Sequence, residues 1–140
     1  MQTLTIGALS GRTGVKIPTI RYYEQTGLMP AAARTDANRR TYGDAAVHRL
    51  RFIRHARELG FEVEAIRQLL DLSDQSDRPC AEADGIARAH LCEIDSKIAR
   101  LTALRSEVKR MTDNCAHGRV GDCRVIQVLA DHDQCEHPRH

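Results

Sequence analysis

Apolar residues recur at alternating steps of three and four through the second half of the chain. Leu91, Ile94, Ile98, Leu101 and Val108 keep that spacing, and Arg105 is the one polar position in the row. Ala87, Leu104 and Met111 widen the stripe, and no proline interrupts positions 81–112. This pattern is the seam of a coiled coil. It predicts one helix of about 32 residues, roughly 48 Å long at ~1.5 Å per residue. A stripe of that length needs a partner helix. Cys80 precedes the run and Cys115 follows it, so one chain cannot bring both thiols to one ion. An antiparallel two-fold dimer would bury the seam and set Cys80 of one chain beside Cys115 and Cys123 of the other, with a site at each end.

The first half alternates short apolar groups with breakers. Thr5 can cap a helix starting at Ile6 and carrying Ala8, Leu9 and Thr13, and Gly14 stops it. Lys16-Ile17-Pro18-Thr19 opens a second helix, with Ile20, Tyr23 and Leu28 inward and Gly27 at its end. Two short helices about a tight glycine turn make a helix-turn-helix. The start of the second helix, with Lys16, Thr19, Arg21 and Tyr22, is the part that enters a major groove in that motif. Pro30 to Asn38, followed by Arg39-Arg40-Thr41-Tyr42, predicts a small hairpin or wing, and Arg39, Arg40 and Tyr42 suit backbone phosphates. For Tyr22 and Tyr42 the competing reading is core packing. A third helix runs from Gly43-Asp44 through Val47, Leu50, Phe52, Ile53 and Leu59 to Gly60, with Arg49, Arg51, Arg54 and Arg57 on its outer face. A fourth covers about Val63 to Leu72, with Ile66, Leu69 and Leu70 inward and Glu62 at its start. The polar stretch Ser73 to Pro79 then delivers Cys80. Beyond Cys123, Val125 to Leu129 predicts a short helix packing back towards the DNA-binding lobes.

Charge sharpens this division. The net charge is +2, but residues 1–57 hold ten Lys and Arg against three Asp and Glu, while residues 58–140 hold eleven against sixteen. A +7 front half on a −5 back half points to a polyanion meeting the front only. The first residues are polar and no run reaches the ~18 apolar residues of a membrane span, so a cytoplasmic protein without a membrane partner is expected. Five cysteines in such a compartment point to metal or redox chemistry rather than disulfides. No Ser-His-Asp set, carboxylate pair or phosphate loop suggests an enzyme.

Thiolates are soft ligands. Three suit mercury or lead, and a fourth ligand makes a site for cadmium or zinc. His117 shares the loop from Cys115 to Cys123 and is the candidate fourth ligand, or else a solvated loop histidine. Cys92 lies within the long helix and is read as packing. The tail carries His132, Cys135, His137 and His140, which form either an accessory metal site or an unstructured end.

The segment Thr19-Ile-Arg-Tyr-Tyr-Glu-Gln-Thr-Gly-Leu28, with Arg39-Arg-Thr-Tyr42 and Phe52-Ile-Arg-His-Ala-Arg-Glu-Leu-Gly-Phe61, resembles the MerR family of transcriptional regulators. The likeness covers about residues 4–129. Phe52 to Leu70, together with Cys80, looks closest to the zinc-responsive branch. Cys80, Cys115 and Cys123 stand at the three metal-ligand positions of the divalent sensors. The resemblance implies a mainly α protein: a winged helix-turn-helix DNA-binding domain (1–75), a long antiparallel coiled-coil dimerisation helix (76–114), and a metal loop, short helix and tail (115–140). It implies Arg21, Tyr22, Arg40 and Tyr42 as DNA contacts. It also implies a homodimer on promoter DNA that, with metal bound, bends and untwists the DNA so that RNA polymerase can use both promoter elements.

This chain departs from the family pattern in places. Arg39 stands where the family's wing usually has an aromatic. Ala116 replaces the second adjacent cysteine of the zinc branch. The length of the Cys115–Cys123 loop matches the copper(I) branch, which lacks a cysteine at the position of Cys80. The cysteine pattern of the iron–sulfur redox branch is absent. The expected cofactor is a divalent soft ion, zinc first, then cadmium, lead or mercury. The competing readings are a copper(I)-responsive or thiol-redox regulator on the same fold, and a metal scavenger.

Overall fold

The computed structural model describes residues 3–113 and 118–131. The chain divides into two compact units, Met1–Ile86 and Ala87–His140.

The first unit contains α1 (Ile6–Thr13), α2 (Ile17–Gln25), the strands β1 (Ala33–Arg34) and β2 (Arg40–Thr41), α3 (Asp44–Glu58) and α4 (Val63–Ser73). Thr5 Oγ1 accepts the Ala8 N–H at 3.1 Å, which satisfies one orphan donor of the first turn of α1. Gly14 ends α1 in the left-handed region at φ 74°, and its N–H returns to the Ser10 carbonyl. α2 carries Pro18 in its first turn, where a missing N–H costs nothing. The strands pair antiparallel, Ala33 opposite Thr41 and Arg34 opposite Arg40. Leu4 and Tyr42 exchange both backbone hydrogen bonds, which ties the wing to the start of the chain.

Leu9, Ile20, Leu28, Met29, Val47, Leu50, Ile53 and Ile66 fill the core and are almost fully buried. Helical periodicity decides these positions except for Leu28 and Met29, which lie in the turn after α2 with both N–H groups on the Tyr23 carbonyl. Of the α3 arginines, Arg51, Arg54 and Arg57 are exposed, as expected of an outer face, and Arg49 is half-buried, but each guanidinium also donates to a backbone carbonyl. The Arg54 guanidinium donates to the Thr13 carbonyl at 2.6 Å, Arg51 to Arg12, Arg49 to Leu28 at 2.9 Å, and Arg57 to Phe61. On α4, Arg67 donates to the Thr26 carbonyl at 2.8 Å. The last carbonyls of a helix have no partner within it and sit at its negative end. Arg51 and Arg54 satisfy the end of α1, Arg67 that of α2 and Arg49 the Leu28 carbonyl just beyond it, while Arg57 serves the turn after α3 itself. Phe52 and Leu59, the other large apolar residues of that stretch, are exposed.

α5 is a continuous helix, Ala81–Asp113, of 33 residues. Leu91, Ile98, Leu101 and Val108 are each more than half exposed along the single chain. Cys92, expected to pack, is exposed in the single chain as the seam residues are. In the second unit a turn of 3-10 helix, Val120–Asp122, leads into α6, Arg124–Ala130. Glu107 and Met111 of α5 and Val128 of α6 are its buried side chains among the described residues, and the Arg110 guanidinium holds the Glu107 carboxylate at 3.0 Å. A buried carboxylate is tolerated when paired in this way.

Candidate nucleic-acid interface and metal site

The turn between α1 and α2 is fixed by Gly14. A Cβ there would lie 1.9 Å from an Arg54 nitrogen, on a backbone that side chains rarely adopt. Thr13 is buried, its hydroxyl donating to the Leu9 carbonyl at 2.8 Å and accepting the Val15 N–H at 3.3 Å. α2 therefore leaves the turn at a set angle. Its inward face carries Ile20 and Tyr23, while Lys16, Arg21 and Tyr22 are exposed and Thr19 is half-buried. The Tyr22 ring leans on that of Tyr23, with centroids 5.9 Å apart, so a half-exposed phenol stands on a rigid base. This face offers two cations, a hydroxyl and an aromatic edge, the donors that meet phosphates and base edges.

The tip of the wing is braced by its own backbone. Thr35 N–H donates to the Arg39 carbonyl at 2.8 Å, and Asn38 takes the left-handed conformation at φ 61°. Arg39 and Arg40 are exposed. Tyr42 corrects the sequence reading. Only 4% exposed, it belongs to the core, and its hydroxyl donates to Glu24 Oε1 at 2.5 Å. Burial, then the hydrogen bond to Glu24 and its charge, push the phenol up to about 12, with Arg40 opposing. Tyr42 directly follows β2 and pairs with Leu4, and successive side chains of such an extended segment point to opposite faces, so the ring turns inward after Thr41. The sequence reading overlooked Glu24. The available signal was that it is one of only three acids in residues 1–57.

Of the thiols, Cys80 is exposed and directly precedes α5, its carbonyl accepting the Asp84 N–H at 2.9 Å. Cys123 is half-buried at the head of α6, its carbonyl accepting the Gln127 N–H at 3.0 Å. Cys115 and His117 lie outside the described residues, as do His132, Cys135, His137 and His140. Among the described residues no three His, Cys, Asp or Glu side chains gather at one point. Thiolates are the ligands a soft divalent ion takes, and Cys80 and Cys123 each stand at the start of a helix, neither sequestered in the core, while Cys92 lies in the middle of α5. No helix among the described residues is long and apolar enough to cross a membrane.

Residues 4–73 match the family described as MerR HTH family regulatory protein, and residues 47–111 the one described as MerR, DNA binding. The chain is 40% identical over 128 residues to heavy metal-dependent transcription regulator 2 of Rhizobium meliloti (strain 1021), covering 91% of this chain and 87% of that one. The crystal structure of the transcription regulator PbrR691 from Ralstonia metallidurans CH34 in complex with lead(II) superposes with a TM-score of 0.80 at 32% identity, covering 90% of this chain and 98% of the other. That of the regulator MerR from Bacillus megaterium MB1 in complex with mercury(II) gives 0.70 at 26% identity, with 91% and 99% covered.

Proposed function

The chain belongs to the MerR family of helix-turn-helix transcription regulators, and from that footing we propose that it is a metal-responsive regulator whose signal is a divalent soft ion. It is a regulator and not an enzyme. Lys16, Thr19, Arg21 and Tyr22 enter the major groove of promoter DNA, and Arg39 and Arg40 of the wing hold flanking phosphates. Tyr42 acts beneath them as a core residue. Two chains pair through the seam of α5 into an antiparallel homodimer. Cys80 of one chain, with Cys115 and Cys123 of the other, would hold the ion, and His117 is the candidate fourth ligand. When bound, the ion supplies a cross-link between soft thiolates.

The observation that carries this reading is the placement of Cys80. An exposed free thiol stands at the head of a 33-residue helix whose apolar seam is uncovered in the single chain. Pairing through that seam answers both features at once. The named relatives support a soft ion: two were solved with lead(II) and mercury(II). The preference runs through zinc, cadmium, lead and mercury, with Cys80 speaking against a site confined to the Cys115–Cys123 loop. The ion shifts the dimer only by its differential affinity for one arrangement. The metal-free dimer therefore stays on the promoter and represses. The metal-bound dimer bends and untwists the DNA so that RNA polymerase can engage both promoter elements.

Titration of the reduced protein with zinc, cadmium, lead, mercury and copper(I) tests this against Cys80→Ser. One divalent ion per subunit, bound tightly only with Cys80 present, is expected. Unchanged affinity in Cys80→Ser with copper(I) preferred would overturn the inter-subunit site. Regulation that survives Arg21→Ala would favour a metal scavenger.

A further inference from the structure

Glu24 lies on the DNA-reading helix yet is one of only three acids in the basic stretch 1–57, and its side chain is only 12% exposed. A carboxylate in that place is doubly unfavourable, being desolvated and close to a polyanion, unless its partners compensate. It has two partners on the wing. The Tyr42 hydroxyl donates to Oε1 at 2.5 Å, and an Arg40 guanidinium nitrogen stands 3.7 Å from Oε2. Tyr42 is itself pinned, its N–H and carbonyl bonded to Leu4 at 2.9 and 2.7 Å. One carboxylate thus joins the helix and the wing, the two parts that must meet DNA in a fixed relation. Arg40, 40% exposed, faces Glu24 on one side and solvent on the other, so a phosphate and Glu24 compete for the same guanidinium.

We propose that Glu24 is a positioning residue for DNA binding: it locks the wing to the recognition helix through Tyr42 and, by sharing the Arg40 guanidinium, weakens the hold of Arg40 on its phosphate, lowering non-specific affinity in exchange for register. The inference rests on the reading of α2 and the wing as the DNA face. Its two parts separate by substitution. Glu24→Gln keeps an acceptor for Tyr42 and removes the charge, whereas Tyr42→Phe removes the bond and keeps the charge.

The test measures binding of the full-length protein to two duplexes across a range of salt. One duplex is selected by the wild-type protein from a random pool, and the other has mixed sequence. Glu24→Gln should bind the mixed duplex about 3- to 10-fold tighter, and its salt slope should steepen by up to about 0.9, one phosphate contact. Adding Arg40→Ala should cancel both changes. Arg40→Ala alone should lose clearly less than that slope, because Glu24 already restrains the guanidinium. Tyr42→Phe should lower the ratio of selected to mixed affinity several-fold with its slope unchanged. A Glu24→Gln protein with a native circular dichroism spectrum but an unaltered slope would overturn the proposal. So would an Arg40→Ala protein that loses a whole phosphate contact, which needs no folded Glu24 variant. Arg21→Ala separates the two levels. If it leaves the selected duplex bound as tightly as before, the DNA-face reading fails and not the role of Glu24 alone.

Discussion

Tyr42 buries a phenol against the Glu24 carboxylate, and this gives the protein an alkaline limit. Its folded value, about 12, lies above the ordinary 10, so the native state holds the phenol proton more tightly than the unfolded chain does. The stabilisation is fully present below pH 10 and is lost as pH rises towards 12. It corresponds to roughly 2 to 3 kcal/mol. Urea midpoints measured between pH 9 and about 12 should fall for the wild type and fall less for Tyr42→Phe. At neutral pH the same substitution should cost about 1–2 kcal/mol, since it leaves a nearly buried carboxylate short of a donor. Residue types named the exposed cations of α2 correctly as exposed. They could not place Tyr42, because a tyrosine before a helix fits a phosphate contact and a core position equally well. The neighbours that decide it, Leu4 and Glu24, are distant in sequence.

Among the elements, the joint between α1 and α2 is the most constrained. Gly14→Ala should cost about 2 kcal/mol, from the left-handed backbone and from displacing Arg54. In an Arg54→Ala background the clash disappears and only the backbone strain of about 1 kcal/mol should remain. The difference between the two urea-derived costs measures the coupling. Helix boundaries were largely legible: a run expected over 81–112 forms α5 from Ala81 to Asp113. Spacing and breakers are local, and so is helix geometry. The arginine contacts were not legible. Arg54 reaches a carbonyl 41 residues away and Arg49 one 21 residues away, and a periodic pattern says nothing of such partners.

For the whole molecule, the decisive feature is the seam of α5. Leu101 and Ile98 are 64% and 55% exposed in the single chain, more apolar surface than a solvated helix carries along one line. Leu101→Glu combined with Ile98→Glu should give a monomer by sedimentation, with α5 still helical by circular dichroism. Each uncovered leucine or isoleucine forfeits about 1.5–3 kcal/mol of burial. DNA binding should weaken at least tenfold, because one recognition helix replaces two. Tight metal binding should disappear in the same variant if each site draws ligands from two chains.

Sequence by itself determined the order and extent of the helices, the basic face of α2, the wing and the family, because these follow from periodicity, breakers and short motifs that are read over a few residues. Tertiary structure alone decided which polar side chains face inward. Only the packed unit shows that Tyr42 belongs to the core, that Arg51 and Arg54 of α3 reach the carbonyl end of α1, and that Glu24 joins helix to wing. Burial and hydrogen bonding between distant segments are properties of the assembled core, and one-dimensional spacing does not encode them residue by residue.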